Sequence, residues 1–207
     1  MRRFLTAALA FPALCCSPPP RPSVDGYSAR VTIRSGTKVE STFRIAVRGT
    51  SLRRDPEPPG GPAVILKAKE QRAYRLDPAA KSYAEILYAQ ATDEFLPGFP
   101  LSPGFNDRVE AEKRGITEYR RESDEVFAGV VCALWRFVDQ SDAVVSPSTV
   151  YWVAPSLENL TIRMDREIPM PDGTWSRRTV ELTDIQVGVS PGLFAVPGTS
   201  LPASPPR

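Results

Sequence analysis

Alternation with a period of two runs through most of this chain and limits the fold more than any other feature. In YSARVTIR (27–34) and STFRIAVR (41–48), Val31 and Ile33, then Phe43, Ile45 and Val47, occupy every second position, with Arg30, Arg34, Arg44 and Arg48 on the other side. Side chains of an extended strand point alternately to its two faces, so each segment presents one apolar and one basic surface. The connection SGTKVE carries Gly36, which suits a hairpin.

The rhythm continues as a meander. Arg53 to Pro62 (RRDPEPPGGP) reads as a turn-forming stretch, followed by a strand at 63–70, a tight turn at Gln71 and Arg72, and a return over AYRL (73–76). KSYAEI (81–86) adds another strand. Further strand patterns fall at 116–123, 129–139, 149–155, 159–168 and 176–187, with Pro171, Asp172 and Gly173 as a hairpin signal. The chain has 207 residues with 22 Pro and 13 Gly, which favours many turns and few long helices. These patterns predict a mainly β fold, a large antiparallel sheet or barrel, over residues 24–198. Leu193, Phe194 and Val196 then form a final docking segment, and 199–207 a disordered tail.

One internal segment departs from the pattern. LYAQATDEFLPGFPLSPGF (87–105) has helical spacing at Leu87, Ala91 and Phe95, then becomes punctuated by Pro and Gly while keeping Leu96, Phe99, Leu101 and Phe105. So large an apolar load outside a strand must pack against something, either as a plug within the body of the sheet or as a lid over an apolar space.

The first residues read as an address. MRRFLTAALAFPALCC (1–16) runs from Arg2 and Arg3 through an uncharged stretch to Cys15 and Cys16, the layout of a secretory signal. It is too short for a membrane span of about 20 residues. Ser17 to Ser23 (SPPPRPS) cannot donate regular backbone hydrogen bonds at its prolines and reads as an extended tether. A cysteine between such a signal and a tether resembles a bacterial lipoprotein signal, which makes Cys16 the expected lipidation site; an ordinary cleaved signal is the alternative. Both predict export to the periplasm, with a membrane anchor in the first case that leaves open the inner or the outer membrane. The chain has 26 Lys plus Arg and 24 Asp plus Glu, so removing Arg2 and Arg3 leaves a neutral protein. That balance argues against nucleic-acid binding.

The absence of histidine excludes Ser-His-Asp and Cys-His nucleophilic machinery and any His-bound metal. No Gly-rich phosphate loop, CxxC or GxSxG occurs. Asp and Glu neighbours such as Asp165 with Glu167 read as solvated faces. No catalytic residue, metal or cofactor is predicted, and Cys132, within VVCALW, reads as a small buried hydrophobe.

The order of these elements carries a resemblance. The strand pair from Tyr27 to Arg48, AYRLDPAAKSYAEI, the long interruption, YWVAPSLENLTIRMD, and the closing Leu193, Phe194, Val196 and Pro197 together resemble the periplasmic lipoprotein carriers typified by LolA. The resemblance implies a single curved antiparallel sheet or unclosed β-barrel around an apolar cavity, covered by a helical or irregular lid and binding acyl chains without catalysis. The cavity would draw on Val31, Ile33, Phe43, Ile45, Val47, Val64, Leu66, Trp135, Trp152 and Ile162, with Phe95, Leu96 and Phe99 from the lid. The implied partners are a lipid or an acylated protein, and a Cys16 anchor would add the membrane. The alternative is an envelope interaction or sensor module of the same fold, with these side chains filling a core. Oligomeric state is left open.

Overall fold

The computed structural model describes residues 24–92, 95, 99–116, 118–139 and 147–196. The expectations for the signal, Cys15, Cys16, the tether, the tail and Leu96 lie outside these residues. The strands are β1 (Tyr27–Ser35), β2 (Lys38–Arg48), β3 (Ser51–Pro56), β4 (Ala63–Lys67), β5 (Arg72–Asp77), β6 (Ser82–Ile86), β7 (Glu118–Phe127), β8 (Val130–Val138), β9 (Ser148–Ala154), β10 (Leu160–Pro169) and β11 (Trp175–Val187). Two short helices, α1 (Tyr88–Thr92) and α2 (Asp107–Lys113), lie between β6 and β7.

All eleven strands form one open antiparallel sheet in the order β6, β5, β4, β3, β2, β1, β11, β10, β9, β8, β7. The mainly β architecture predicted from the alternation, in the curved and unclosed form that the resemblance implies, is the one observed. β1 lies at its centre, paired with β2 on one side and with β11 on the other. The two halves are meanders running outward from that centre. β6 and β7, consecutive in sequence, therefore stand at opposite edges. The segment between them must span the sheet, and its described residues, 87–92, 95 and 99–116, lie over one face, the inner face.

The period-two pattern sets which side chains meet this crossover. Tyr27, Ala29, Val31 and Ile33 of β1, and Phe43, Ile45 and Val47 of β2, are all buried in one cluster with Phe99, Phe105, Ala111 and Ile116 of the crossover. Val64 and Leu66 of β4 and Ala73 of β5 form a second cluster with Ala91 and Phe95. Leu101 packs against both clusters. The opposite, outer face is charged, with ion pairs such as Arg30 to Glu57 at 3.0 Å and Arg34 to Glu181 at 3.6 Å. A patch of it near β4 to β6 is apolar: Ile65, Tyr74 and Leu76 cluster there, and Val196 packs against them. Phe194, in a 3₁₀ turn at Pro191–Phe194, is buried as the predicted docking segment requires, while Leu193 is exposed.

Three local expectations need correction. Ser51–Pro56 is a strand rather than the start of a turn, because it pairs on both sides, with β2 and β4, and tertiary pairing overrides its polar composition. β4 ends at Lys67, and Ala68–Glu70 is a 3₁₀ turn closed by Gln71 in the left-handed region. β7 runs to Phe127, and α2 precedes it where no helix is predicted. The Asn106 side chain caps α2 by accepting from the Val109 N–H at 3.1 Å, and Gly115 with positive φ follows its end.

Tyr27 is fully buried beneath the crossover and its hydroxyl donates to the Leu101 carbonyl at 2.6 Å, tying the central strand to the middle of the crossover. Burial drives its phenol pKa far above the usual range. Tyr27→Phe keeps the ring but leaves the Leu101 carbonyl unpartnered, so the urea midpoint should fall with unchanged slope, by about 1–3 kcal/mol in stability. The Cys132 thiol is fully buried and burial raises its pKa. It should resist Ellman's reagent in native protein and react on addition of urea; rapid native labelling would contradict the placement.

Candidate functional site

The inner face carries apolar side chains of β1, β2, β4 and β5, and Phe95, Phe99 and Phe105 of the crossover pack directly on it. The register of the strands shows the path of the crossover. Leu101 meets Tyr27, and the Gly104 and Phe105 amides donate to the Glu158 and Asn159 carbonyls at 2.7 and 3.0 Å, in the turn that joins β9 to β10. Tyr27 and Leu160, which starts β10, belong to one end of the sheet; Ser35 and Pro169 belong to the other. From this first end α2 leads along the β7 to β10 half toward the Ser35 end, where β7 begins opposite Val138.

Aromatic packing fixes the α2 half. The Phe105 ring lies 6.5, 6.0 and 5.3 Å from those of Trp135, Phe137 and Tyr151. Arg114, the residue closing α2, donates to the Tyr151 hydroxyl and to Thr149 Oγ1, both at 2.8 Å. On the β1 to β4 half, near the Ser35 end, a recess of about 300 Å³ remains between Phe43, Arg54, Pro56 and Val64. The Arg54 guanidinium stacks over the Phe43 ring at 4.2 Å, making a basic rim beside an apolar floor.

The residues proposed for the cavity divide by position. Val31, Ile33, Phe43, Ile45, Val47 and Phe99 share the main cluster, with Trp135 packed against it and Ile162 buried at an irregularity between Thr161 and Arg163. Val64, Leu66 and Phe95 share the second. Trp152 is buried in the main cluster too, but its ring faces the other side of the sheet. Tyr151 faces Phe105, so alternation turns its neighbour to the outer face, where the Trp152 Nε1–H donates to Glu125 at 3.0 Å and Arg163 stacks on the ring at 4.6 Å. It is removed from the inner-face set for that reason, and Tyr151 takes its place. Phe105, Leu101 and Tyr27 also belong to the site. The apolar positions before β7 were a usable signal for the first two; Tyr27, at a strand start, gave none.

Two outer-face recesses invite comparison. One of about 320 Å³ is lined by Glu122, Arg136, Trp152, Arg163, Asp165 and Glu167. Two of its acids are ion-paired, Glu122 with Arg136 at 2.6 Å and Asp165 with Arg163 at 2.9 Å, while Glu167 accepts from the Ser148 N–H and hydroxyl at 3.1 and 2.8 Å. The Arg136 hydrogen bond holds the Glu122 carboxyl below the usual carboxylate range, whereas a general acid needs the opposite shift. The other, about 450 Å³, lies between the Pro56–Pro62 loop and the turn after β5, beside Arg44 and Arg53. Among the described residues no three Cys, Asp or Glu converge as metal ligands.

No family model matches the chain, and no curated protein does. Solved structures with similar folds include the lipoprotein LppX of Mycobacterium tuberculosis, at 11% identity over 79% of this chain and 88% of that one with a TM-score of 0.44. LprF of Mycobacterium bovis is 12% identical over 81% and 89%, with a TM-score of 0.45. A LolA superfamily protein of Nitrosomonas europaea is 12% identical over 84% and 90%, with a TM-score of 0.32.

Proposed function

We propose that the protein is an exported cell-envelope protein that binds the acyl chains of a lipid or lipoprotein on the inner face of its sheet, where they take the place of the crossover's apolar side chains. The observation that carries this reading is the crossover itself: a non-strand segment supplies Phe95, Phe99 and Phe105 to an apolar trough whose β2 to β4 end is open.

The energies of the two occupants are comparable. Burying one Phe side chain contributes about 1.5–3 kcal/mol, so three such rings contribute about 5–9 kcal/mol. A twelve-carbon chain at about 0.8 kcal/mol per CH₂ gains about 10 kcal/mol before ordering costs. Exchange between a crossover-filled and a ligand-filled trough is therefore close to balanced, as loading and unloading require. The second reading, an interaction module with a filled core, is favoured by the burial of Phe99 and Phe105, 6% and 9% exposed.

One substitution separates the two. Phe99→Ala weakens the crossover-filled state by about 3 kcal/mol. If acyl chains compete for that state, a dansyl-labelled fatty acid should bind up to roughly 100-fold more tightly to the variant. A fall in thermal midpoint with no probe binding by either protein would refute the acyl-chain reading and leave the filled core.

Export and anchoring rest on residues 1–23. Acylation of Cys16 should add several hundred daltons to the mature chain beginning there, read by intact mass of membrane-fraction protein. A mature mass without this addition would refute the anchor.

A further inference from the structure

We propose that Arg114, Arg166 and Arg178 form a binding site for a phosphate group at the Ser35 end of the inner face, the headgroup of a phospholipid whose chains lie in the trough being its source. Met164 pairs with Val180, and Val180 with Ile33, as neighbouring members of an inner-face row. Two positions along each strand, the next row reads Thr149, Arg166, Arg178 and Ser35, in direct register. Arg166 and Arg178 are thus cross-strand neighbours of like charge, an arrangement that destabilises a sheet. Arg114 reaches the same place from the end of α2, donating to Thr149 and Tyr151.

The partners of these guanidinium groups are few. Several outer-face arginines have close carboxylates, as Arg30 has Glu57 at 3.0 Å and Arg163 has Asp165 at 2.9 Å. On the inner row Arg178 Nε stands 3.9 Å from Glu40, at the outer limit of an ion pair. The Nε atoms of Arg166 and Arg178 are buried without a hydrogen-bond partner. Burial, then the neighbouring Arg114, lowers the pKa of the Arg166 guanidinium, and the Tyr151 hydroxyl supports its charge. The Arg178 side chain is 42% exposed, so an anion has access from solvent. Guanidinium forks match phosphate oxygens in pairs, and a phosphate at this point would relieve the repulsion that the sheet register imposes. Ile33, Val180 and Met164 continue from this row into the apolar floor, which places a charged group and an acyl chain end to end.

The lipid source of the phosphate rests on the acyl-chain reading; the site itself does not. Thermal midpoints of the full chain are compared in phosphate and in chloride at equal ionic strength, for the native protein, Arg166→Gln and, as an outer-face control, Arg34→Gln. The expected result is stabilisation by phosphate in the native protein and the control, lost in Arg166→Gln. In chloride Arg166→Gln should melt no lower than the native protein, because it removes a like charge. Phosphate stabilisation equal in native protein and Arg166→Gln, or absent from both, would overturn the site. Flotation with phosphatidylglycerol vesicles, at least tenfold stronger for the native protein than for an Arg166→Gln, Arg178→Gln double variant, supports the headgroup as source. Phosphate stabilisation without that difference overturns the lipid assignment and supports a site for soluble phosphate. Failure of the dansyl fatty acid to bind speaks only to the trough.

Discussion

A sheet with one apolar face cannot leave that face in water, and this constraint governs the rest of the structure. Antiparallel sheets ordinarily meet it by packing on a second layer. Here the second layer is a single connection. Two meanders run outward from β1, so the chain leaves at one edge and returns at the other, and the link between them has no route that avoids the sheet. Covering the face and connecting the halves are one task. The Tyr27 to Leu101 hydrogen bond sits where both demands meet, joining the central strand to the midpoint of the link.

The two sides of the crossover are held by different forces. Between Leu101 and Arg114 the contacts include backbone bonds to Glu158 and Asn159 and side-chain bonds to Tyr151 and Thr149, which are directional and fix a register. Ala91, Phe95 and Phe99 contribute apolar burial, which is non-directional and indifferent to the identity of the apolar group that supplies it. An acyl chain can replace the second kind of contact at little cost, and the first only by leaving polar groups without partners. The open recess at Phe43 and Val64 lies on the β1 to β4 half of the face.

Much of this architecture was legible in the sequence, for a physical reason. Where one face is apolar and the other charged, as in β1 and β2, period two assigns every side chain, and Val31, Ile33, Phe43, Ile45 and Val47 all fall inside. β9 defeats the same rule. From Thr149 to Ala154 every residue is buried, so alternation offers no vote between Tyr151 and Trp152, and only the contact with Phe105 decides. β3 escaped because SLRRDP has no apolar stripe; it is a strand because two neighbours pair with it. The crossover was recognisable as an apolar intruder, but its reach across the whole sheet follows from strand order, which no local pattern contains.

Edges and charges complete the argument about what the fold tolerates. β7, an edge strand, is almost wholly exposed, densely charged and irregular between Arg121 and Asp124, all of which oppose pairing with another chain. β6, the other edge, is only five residues long. On the outer face opposite charges are interleaved, and exposed pairs of this kind contribute about 0–1 kcal/mol each, serving solubility more than stability. Like charges also stand opposite one another on the outer face, as Arg30 does to Arg44, and Arg120 does to Arg136 with Glu122 shared between them, but the Nε atoms of Arg166 and Arg178 on the inner row are buried without a hydrogen-bond partner. Residues that oppose local stability inside an otherwise consistent fold mark the places where a sequence answers to something other than folding. The row lies beside the apolar floor and within reach of Arg114, on the one face of the sheet that the chain's own crossover occupies.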